Sequence, residues 1–259
     1  MSGAQAMGTR VFSRWQASGL HLLISASIAA LSLVLILGLW FPGALFEAAG
    51  GLGLLYLLVG VDVVLGPLLT LLVFKSGKPG MKFDLAAIGA MQLAALIYGF
   101  TVVAQARPAF VVFVLDRFEM VAAVELAPEE LAAAKREEFR SVPWTGPKLA
   151  AADMPTAAEE RQKLVELAQA GIDLQHFPRY YVPYEERSRE VLAKAMTVAK
   201  LRATEPANSP AVDAWLKSSG TKEDEVRALL LRTRFAWLVV LVDPRTAQPV
   251  KMLVGERII

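Results

Sequence analysis

The chain has 259 residues, of which 55% are hydrophobic, and its formal net charge is only +2. The near balance of charge, without any run of Lys or Arg, excludes a nucleic-acid-binding surface. The sequence has no cysteine and two histidines, so it predicts no disulfide, no thiol catalysis, no metal site and no cofactor.

The apolar residues are concentrated before residue 105. Three segments there reach the roughly 20 residues that cross a bilayer, and they predict a three-helix transmembrane bundle over 20–104, with spans at 20–41, 52–74 and 85–104. Residues 1–19 precede it. The first span could instead be a cleaved signal peptide, but its apolar run is too long and "LWFPG" is a poor cleavage site, which favours a retained anchor.

The short loops predict the orientation of these spans. Lys and Arg mark the cytoplasmic side of a membrane protein. They precede the first span and separate the second from the third, at positions Arg10, Arg14, Lys75, Lys78 and Lys82. The loop after the first span contains Glu47 and no basic residue. We therefore expect a bacterial inner membrane protein with a cytoplasmic N-terminus and a periplasmic domain over 105–259.

Polar residues inside the spans follow a helical pattern. Asp62, Gly66 and Thr70 are four residues apart and share one face of the second helix. At about 1.5 Å of rise per residue, Ser32 and Gln92 lie within about one turn of the depth of Asp62. Small and weakly polar faces allow membrane helices to pack closely. The pattern predicts that these residues form a contact face inside the bundle or with a partner.

Pro67 adds a backbone feature to the same face. It removes one N–H group and frees the carbonyl of Val63, which must find a partner within protein because lipid offers none. We therefore expect the region from Asp62 to Pro67 to be kinked and locally polar. The depth reckoning places His21 nearer the cytoplasmic surface, out of reach of Asp62.

Two interpretations of Asp62 stay open at this point. An intramembrane carboxyl group is by default a functional-site hypothesis, because its insertion costs about 2.5–3.5 kcal/mol. The alternative is a protonated Asp62 that hydrogen-bonds to Ser32 or Gln92 and holds the bundle together. An aspartyl protease dyad is disfavoured because Asp84, the nearest other acid, lies some 15 Å away in depth. Three helices without an internal repeat also disfavour a transporter.

The outer domain contains equal numbers of basic and acidic residues. Runs rich in Val and Phe predict strands at 109–115 and 119–125, and a terminal hairpin turns at Asp243–Thr246. Between them we expect a loop over 142–155 and helices. One helix starts with Thr156 and Glu159 in capping-box spacing and stops at Gly171, and another includes "TKEDEVRALL". The prediction is a small α+β domain with an antiparallel sheet.

No catalytic constellation is visible in this domain. His176 is its only histidine and is interpreted as a loop residue. Tyr180, Tyr181 and Tyr184 are candidates for a recognition surface, since tyrosine is favoured at interfaces. The alternative is that they cover one edge of the core.

Several long segments resemble the type IV pilin accessory protein family, of the TfpX/TfpZ type. They are "HLLIS", "LWFPGALFEAAGG", "GVDVVLGPLLTLLVFKSGKPG", "VAQARPAFVVFVLDRF", "PWTGPKLAA", "YYVPYE" and "FAWLVVLVDPRTAQPV". The similarity covers almost the whole chain apart from the first dozen residues. It implies an inner membrane protein that assists the assembly of a particular pilin, and it carries over no catalytic residue.

Three functional hypotheses follow. The first is a non-enzymatic, chaperone-like factor that binds its cognate type IV pilin, with the bundle against the pilin helix and the outer domain against the pilin head. The second is a membrane enzyme that modifies pilin. The third is a scaffold of the pilus machinery that associates with itself through the Asp62 face. Membrane lipid is an expected partner in each case.

Overall fold

Apolar helices dominate the first part of the chain and a β-sheet dominates the second. A computed structural model describes residues 13–51, 53, 55, 56 and 60–257. These residues belong to two units: a helical unit from within Met1–Val34 and Gly53–Val102, and a sheet domain from within Leu35–Leu52 and Val103–Ile259. Most of the predicted N-terminal segment, up to residue 12, lies outside the described residues.

The helices of the first part include long, almost uncharged stretches. They are α1 (Arg14–Leu35), which continues as a π-helical turn (Ile36–Trp40), α2 (Leu45–Ala48), a π-helical segment (Gly60–Leu65) followed by α3 (Gly66–Val73), and α4 (Met81–Ala106). Before α4 the chain turns at Gly77 and Gly80, whose φ angles of 76° and 82° favour glycine.

Two helices in the described part of the chain are long and apolar enough to cross a membrane, namely Arg14–Trp40 and Met81–Ala106. A shorter apolar helix covers Asp62–Val73. The predicted second span, 52–74, falls partly on residues outside those described. The prediction of three spanning helices is therefore not confirmed.

The kink expected over 62–67 coincides with the π-helical segment. Pro67 follows directly after that segment ends at Leu65. Because Pro67 has no N–H to donate to the preceding turn, a departure from regular α-helical hydrogen bonding is expected just before it. π-Helical turns are often found at functional sites, and this one contains Asp62.

The sheet domain contains a mixed sheet. In the described residues its strands are β1 (Pro108–Val114), β2 (Arg117–Ala122), β3 (Lys148–Ala152), β4 (Tyr181–Pro183), β5 (Arg227–Arg232), β6 (Ala236–Val242) and β7 (Pro249–Arg257), in the spatial order β4-β3-β1-β2-β5-β6-β7. The pairs β1–β3 and β2–β5 are parallel and the others antiparallel. The prediction of an antiparallel sheet was therefore wrong at two pairings. Both parallel pairs join strands separated by long connections, and such crossovers allow parallel pairing.

The helices of this domain are short. They are α5 (Pro128–Ala132), α6 (Ala158–Gln169), α7 (Ser188–Lys194), α8 (Val198–Thr204) and α9 (Ser209–Ser219), and 3-10 turns lie at Ala123–Glu125, Glu137–Phe139, Leu174–His176, Pro178–Tyr180, Tyr184–Arg187 and Glu223–Glu225. The predicted Thr156 cap is wrong, because α6 starts two residues later without a side-chain cap. The predicted stop at Gly171 is confirmed by its φ of 81°.

Two segments differ from their predicted structure. The predicted loop over 142–155 contains β3, and "TKEDEVRALL" forms a 3-10 turn and the start of β5 instead of a helix. Short apolar runs do not distinguish strand from helix by periodicity, and both strands are selected by pairing with partners far away in the sequence.

Strand β1 is buried along its whole length. Val111 and Phe113 face one apolar cluster, and Phe110 and Val112 face another on the opposite side of the sheet. The first cluster also contains side chains of α2 and its neighbouring loop, which join the two early apolar stretches of the chain. This loop is thus part of the core of the sheet domain.

Candidate functional site

A cavity of about 180 Å³ lies within the helical unit beside Asp62. Its lining comes from α1, the π-helical segment and α4, and comprises His21, Ile24, Ser25, Ile28, Asp62, Gly89, Gln92, Leu93 and Leu96. Ile24 and Leu93 are also well exposed, so the cavity is reachable from the surface of the unit. It is largely apolar, with a few polar groups that could fix a ligand's orientation.

The Asp62 carboxyl group is the most unusual feature of this cavity. Asp62 is only 8% exposed, and its Oδ1 has no hydrogen-bond partner among the described residues. Gln92 Nε2 donates a hydrogen bond of 3.2 Å to the backbone carbonyl of Asp62, not to the carboxyl group. A buried polar atom without a partner costs free energy and is rare in folded proteins. The carboxyl oxygen is therefore available to a hydrogen-bond donor that reaches the cavity.

The rest of the predicted stripe packs within the unit. Thr70 is 2% exposed, and its Oγ1 lies 2.6 Å from Nδ1 of His21 in α1. Ser18, also in α1, donates a hydrogen bond of 2.9 Å to the carbonyl of Pro67. These contacts fix α3 against α1. Of the predicted contact face, Asp62 and Gln92 line the cavity.

The depth estimate pointed to Ser32 rather than to Ser25. His21 lines the same cavity as Asp62, but its Nδ1 lies 2.6 Å from Thr70 Oγ1, and no hydrogen bond joins it to Oδ1 of Asp62. Ser25 is buried in the cavity wall, while Ser32 is half-buried and is not part of the lining. The four-residue spacing of His21 and Ser25 places both on one face of α1.

Gly66 makes room for Gln92. A Cβ added at Gly66 would overlap the amide group of Gln92, whereas one added at Gly60 would meet no atom within 4 Å. We expect Gly66→Ala to displace Gln92 and break its hydrogen bond to Asp62, which is worth about 1 kcal/mol. Thermal melting of the purified protein in detergent should give a lower melting temperature for Gly66→Ala than for Gly60→Ala. Both replacements gain similar helix propensity, so equal melting temperatures would contradict this packing role.

The tyrosine cluster is mostly part of the core. Tyr181 and Tyr184 are buried, and their hydroxyl groups donate to the carbonyls of Gln175 and Ala247. Burial raises the pKa of both phenols above the usual range. Tyr180 is half-buried, and its hydroxyl lies 3.4 Å from Glu160. The predicted recognition surface is therefore wrong for Tyr181 and Tyr184, because Tyr181 in the edge strand β4 and Tyr184 directly after that strand pack into two different apolar clusters of the sheet domain.

Sequence reasoning missed a clamp around Arg107, which we call the Arg107 clamp and which consists of Trp40, Arg107 and Trp144. The guanidinium group lies 4.3 Å from the ring centroid of Trp144 and 5.6 Å from that of Trp40. Arg107 is 5% exposed and donates to the carbonyls of Ala104 and Pro143. Desolvation lowers the pKa of Arg107. No local pattern joins three residues this far apart in the sequence.

The described residues contain no group of three or more His, Asp and Glu side chains that could hold a metal ion. His176 makes a local hydrogen bond, in which its Nδ1 accepts from the backbone N–H of Asp173 at 3.0 Å.

Comparisons with known proteins show that this chain is similar to several fimbrial assembly proteins. Residues 9–50 match the family model of the fimbrial assembly protein FimB. The fimbrial assembly protein of Dichelobacter nodosus serogroup I is 32% identical over 237 residues, which are 89% of this chain and 87% of that relative. Its serogroup E1 counterpart is 31% identical over the same shares. The protein of serogroups C1 and C2 is 36% identical over 116 residues, 44% of this chain and 88% of that relative. No solved structure matches the chain.

Proposed function

Because the chain belongs to the fimbrial assembly proteins, a family of type IV pilus accessory factors, we propose that it binds a cognate pilin and assists its assembly into pili without acting as an enzyme. The observation that carries this proposal is the similarity to fimbrial assembly proteins along most of both chains. We place it in the bacterial inner membrane, with a cytoplasmic N-terminus and a periplasmic sheet domain.

The membrane placement is supported by two helices that are long and apolar enough to span a bilayer. The orientation is supported by the positions of the basic residues, since Lys75 and Lys78 lie in the short connection between α3 and α4 and Lys82 lies in the first turn of α4. A pilin subunit that waits in the same membrane would offer an apolar helix to the helical unit and a globular head to the sheet domain.

The Asp62 cavity is the proposed contact for the pilin helix. An unpartnered carboxyl oxygen in an apolar wall favours a segment that is apolar along its length and carries one hydrogen-bond donor. Gln92, Gly66, Pro67 and Thr70 would hold Asp62 in place through the contacts described above, with Ser32 farther along α1.

Co-purification tests this proposal. The tagged full-length protein should retain its cognate pilin when extracted in mild detergent, and cells without the protein should lose surface pili that return on complementation. Normal piliation without the protein would overturn the proposal. Intact-mass measurement of pilin from both strains separates assistance from modification, because a mass difference would identify an enzyme. The mass of the detergent-extracted complex separates a pilin complex from self-association.

A further inference from the structure

Several connections of the sheet domain meet at one end of its sheet, which we call the junction end and which includes Arg107, Trp144, Thr145, Arg234 and Phe235. Strand β1 begins there, beside the end of β2, since Pro108 pairs with Ala122. Strand β3 runs parallel to β1 and begins with Lys148 opposite Phe110, so the preceding loop lies at the same end. Strand β5 runs parallel to β2 and leads to a turn with Arg234 and Phe235.

Both long apolar helices lead into this end through the chain itself. Helix α4 ends at Ala106, directly before Arg107. The π-helical turn that follows α1 ends at Trp40, whose Nε1 donates a hydrogen bond of 3.1 Å to the carbonyl of Trp144. The loop after Trp40 is held at the β5–β6 turn, because Thr233 Oγ1 donates a hydrogen bond of 2.8 Å to the carbonyl of Ala48.

The junction end exposes side chains that suit a lipid headgroup layer. Trp144 is 64% exposed and Phe235 46% exposed, although each is anchored by its neighbours. The guanidinium group of Arg234 lies 5.6 Å from the ring centroid of Phe235, and Arg234 is exposed. Trp side chains are enriched where membrane proteins meet the headgroups, and Phe side chains insert at the boundary between headgroups and acyl chains in interfacial segments. An Arg side chain can lay its stem along apolar surface and extend its charge to phosphate.

We propose that the junction end binds the surface of the phospholipid bilayer, with Trp144 and Phe235 inserted at the headgroup level and Arg234 beside lipid phosphate. This inference rests on the membrane placement proposed above and goes beyond it, because it assigns the sheet domain a lipid contact of its own.

Site-directed spin labelling of the full-length protein in phospholipid nanodiscs tests the contact. The chain has no cysteine, so single replacements can be labelled without background. Thr145→Cys is preferred over a change at Trp144, which packs against Arg107, and Phe235→Cys reports the β5–β6 turn. Labels at both positions should be several-fold more accessible to oxygen, relative to a water-soluble nickel chelate, than a label at Leu115→Cys. Leu115 is a matched control because it is an exposed apolar residue at the opposite end of β1.

A label at Met91→Cys, on the exposed face of α4 and outside the Asp62 cavity, separates this inference from the membrane placement. A lipid-like reading at Met91 together with water-like readings at 145 and 235 would overturn the lipid contact and leave the placement intact. A water-like reading at Met91 would overturn both. Lipid-like readings at 91, 145 and 235, with a water-like reading at 115, are the expected result.

Discussion

Replacing Arg107 by alanine is expected to lower the free energy of unfolding of the sheet domain by about 2–4 kcal/mol. The guanidinium group lies against the rings of Trp144 and Trp40, whose centroids are 6.1 Å apart, and donates to two backbone carbonyls. A desolvated cation–π contact is worth about 2 kcal/mol, and a hydrogen bond to a charged group about 1.5–3 kcal/mol. Alanine would remove these contacts and leave the two carbonyls without their donor.

Backbone geometry around the Arg107 clamp limits how far it can relax. Gly146 has a φ of 100°, and a Cβ there would lie 2.6 Å from the carbonyl oxygen of Leu39. The loop that carries Trp144 is therefore already in close contact with the turn that carries Trp40. We expect the space left by Arg107 to remain a cavity or to fill with water, either of which is less favourable than the native packing.

Calorimetric melting of the purified protein in detergent measures this effect. Arg234→Ala is the control, because it removes an exposed guanidinium group that also lies over an aromatic ring, and an exposed contact of this kind is worth no more than about 1 kcal/mol. Arg107→Lys should fall between them, since an ammonium group keeps the charge but loses the planar stacking and the forked donors. Equal melting temperatures for Arg107→Ala and Arg234→Ala would show that the clamp has no structural role.

Local patterns predicted the parts of this fold that depend on neighbours in the sequence. Examples are the apolar composition of α1 and α4, the stop of α6 at Gly171 and the turn after β6. In that turn the Asp243 carboxylate accepts hydrogen bonds of 2.7 and 3.0 Å from the backbone N–H groups of Arg245 and Thr246, and these bonds lower the pKa of Asp243.

The remaining parts of the fold depend on contacts between residues that are far apart in the sequence. Strand β3 is rich in alanine and β5 in leucine, so neither has a strong strand preference of its own, and each forms where an existing strand offers it a partner. The same holds for the candidate site. The four-residue spacing predicted that Asp62, Gly66 and Thr70 share a face, but the register of α1 against α3 decided that His21 and Ser25, not Ser32, complete the surroundings.

Replacing Asp62 by alanine is expected to weaken pilin binding by about 10- to 100-fold, since a hydrogen bond to a charged or strongly polar group is worth about 1.5–3 kcal/mol. Surface piliation should fall with it. Asp62→Asn keeps an oxygen at the same place and should retain part of the binding. Asp84→Asn is the control, because it makes the same chemical change at an acid that is paired with Lys78 at 2.6 Å, outside the cavity.

Stability of the same variants distinguishes the two interpretations of Asp62. If the Asp62 carboxyl group holds the helices together, Asp62→Ala removes a stabilising contact and the variant should melt at a lower temperature. A carboxyl group buried without a partner instead lowers the stability of the protein in the absence of pilin. We therefore expect Asp62→Ala to melt at the same or a higher temperature while pilin binding falls. Opposite changes in stability and function are typical of binding sites kept ready for a partner. A destabilised Asp62→Ala that still captures pilin would assign Asp62 to the internal packing of the helical unit.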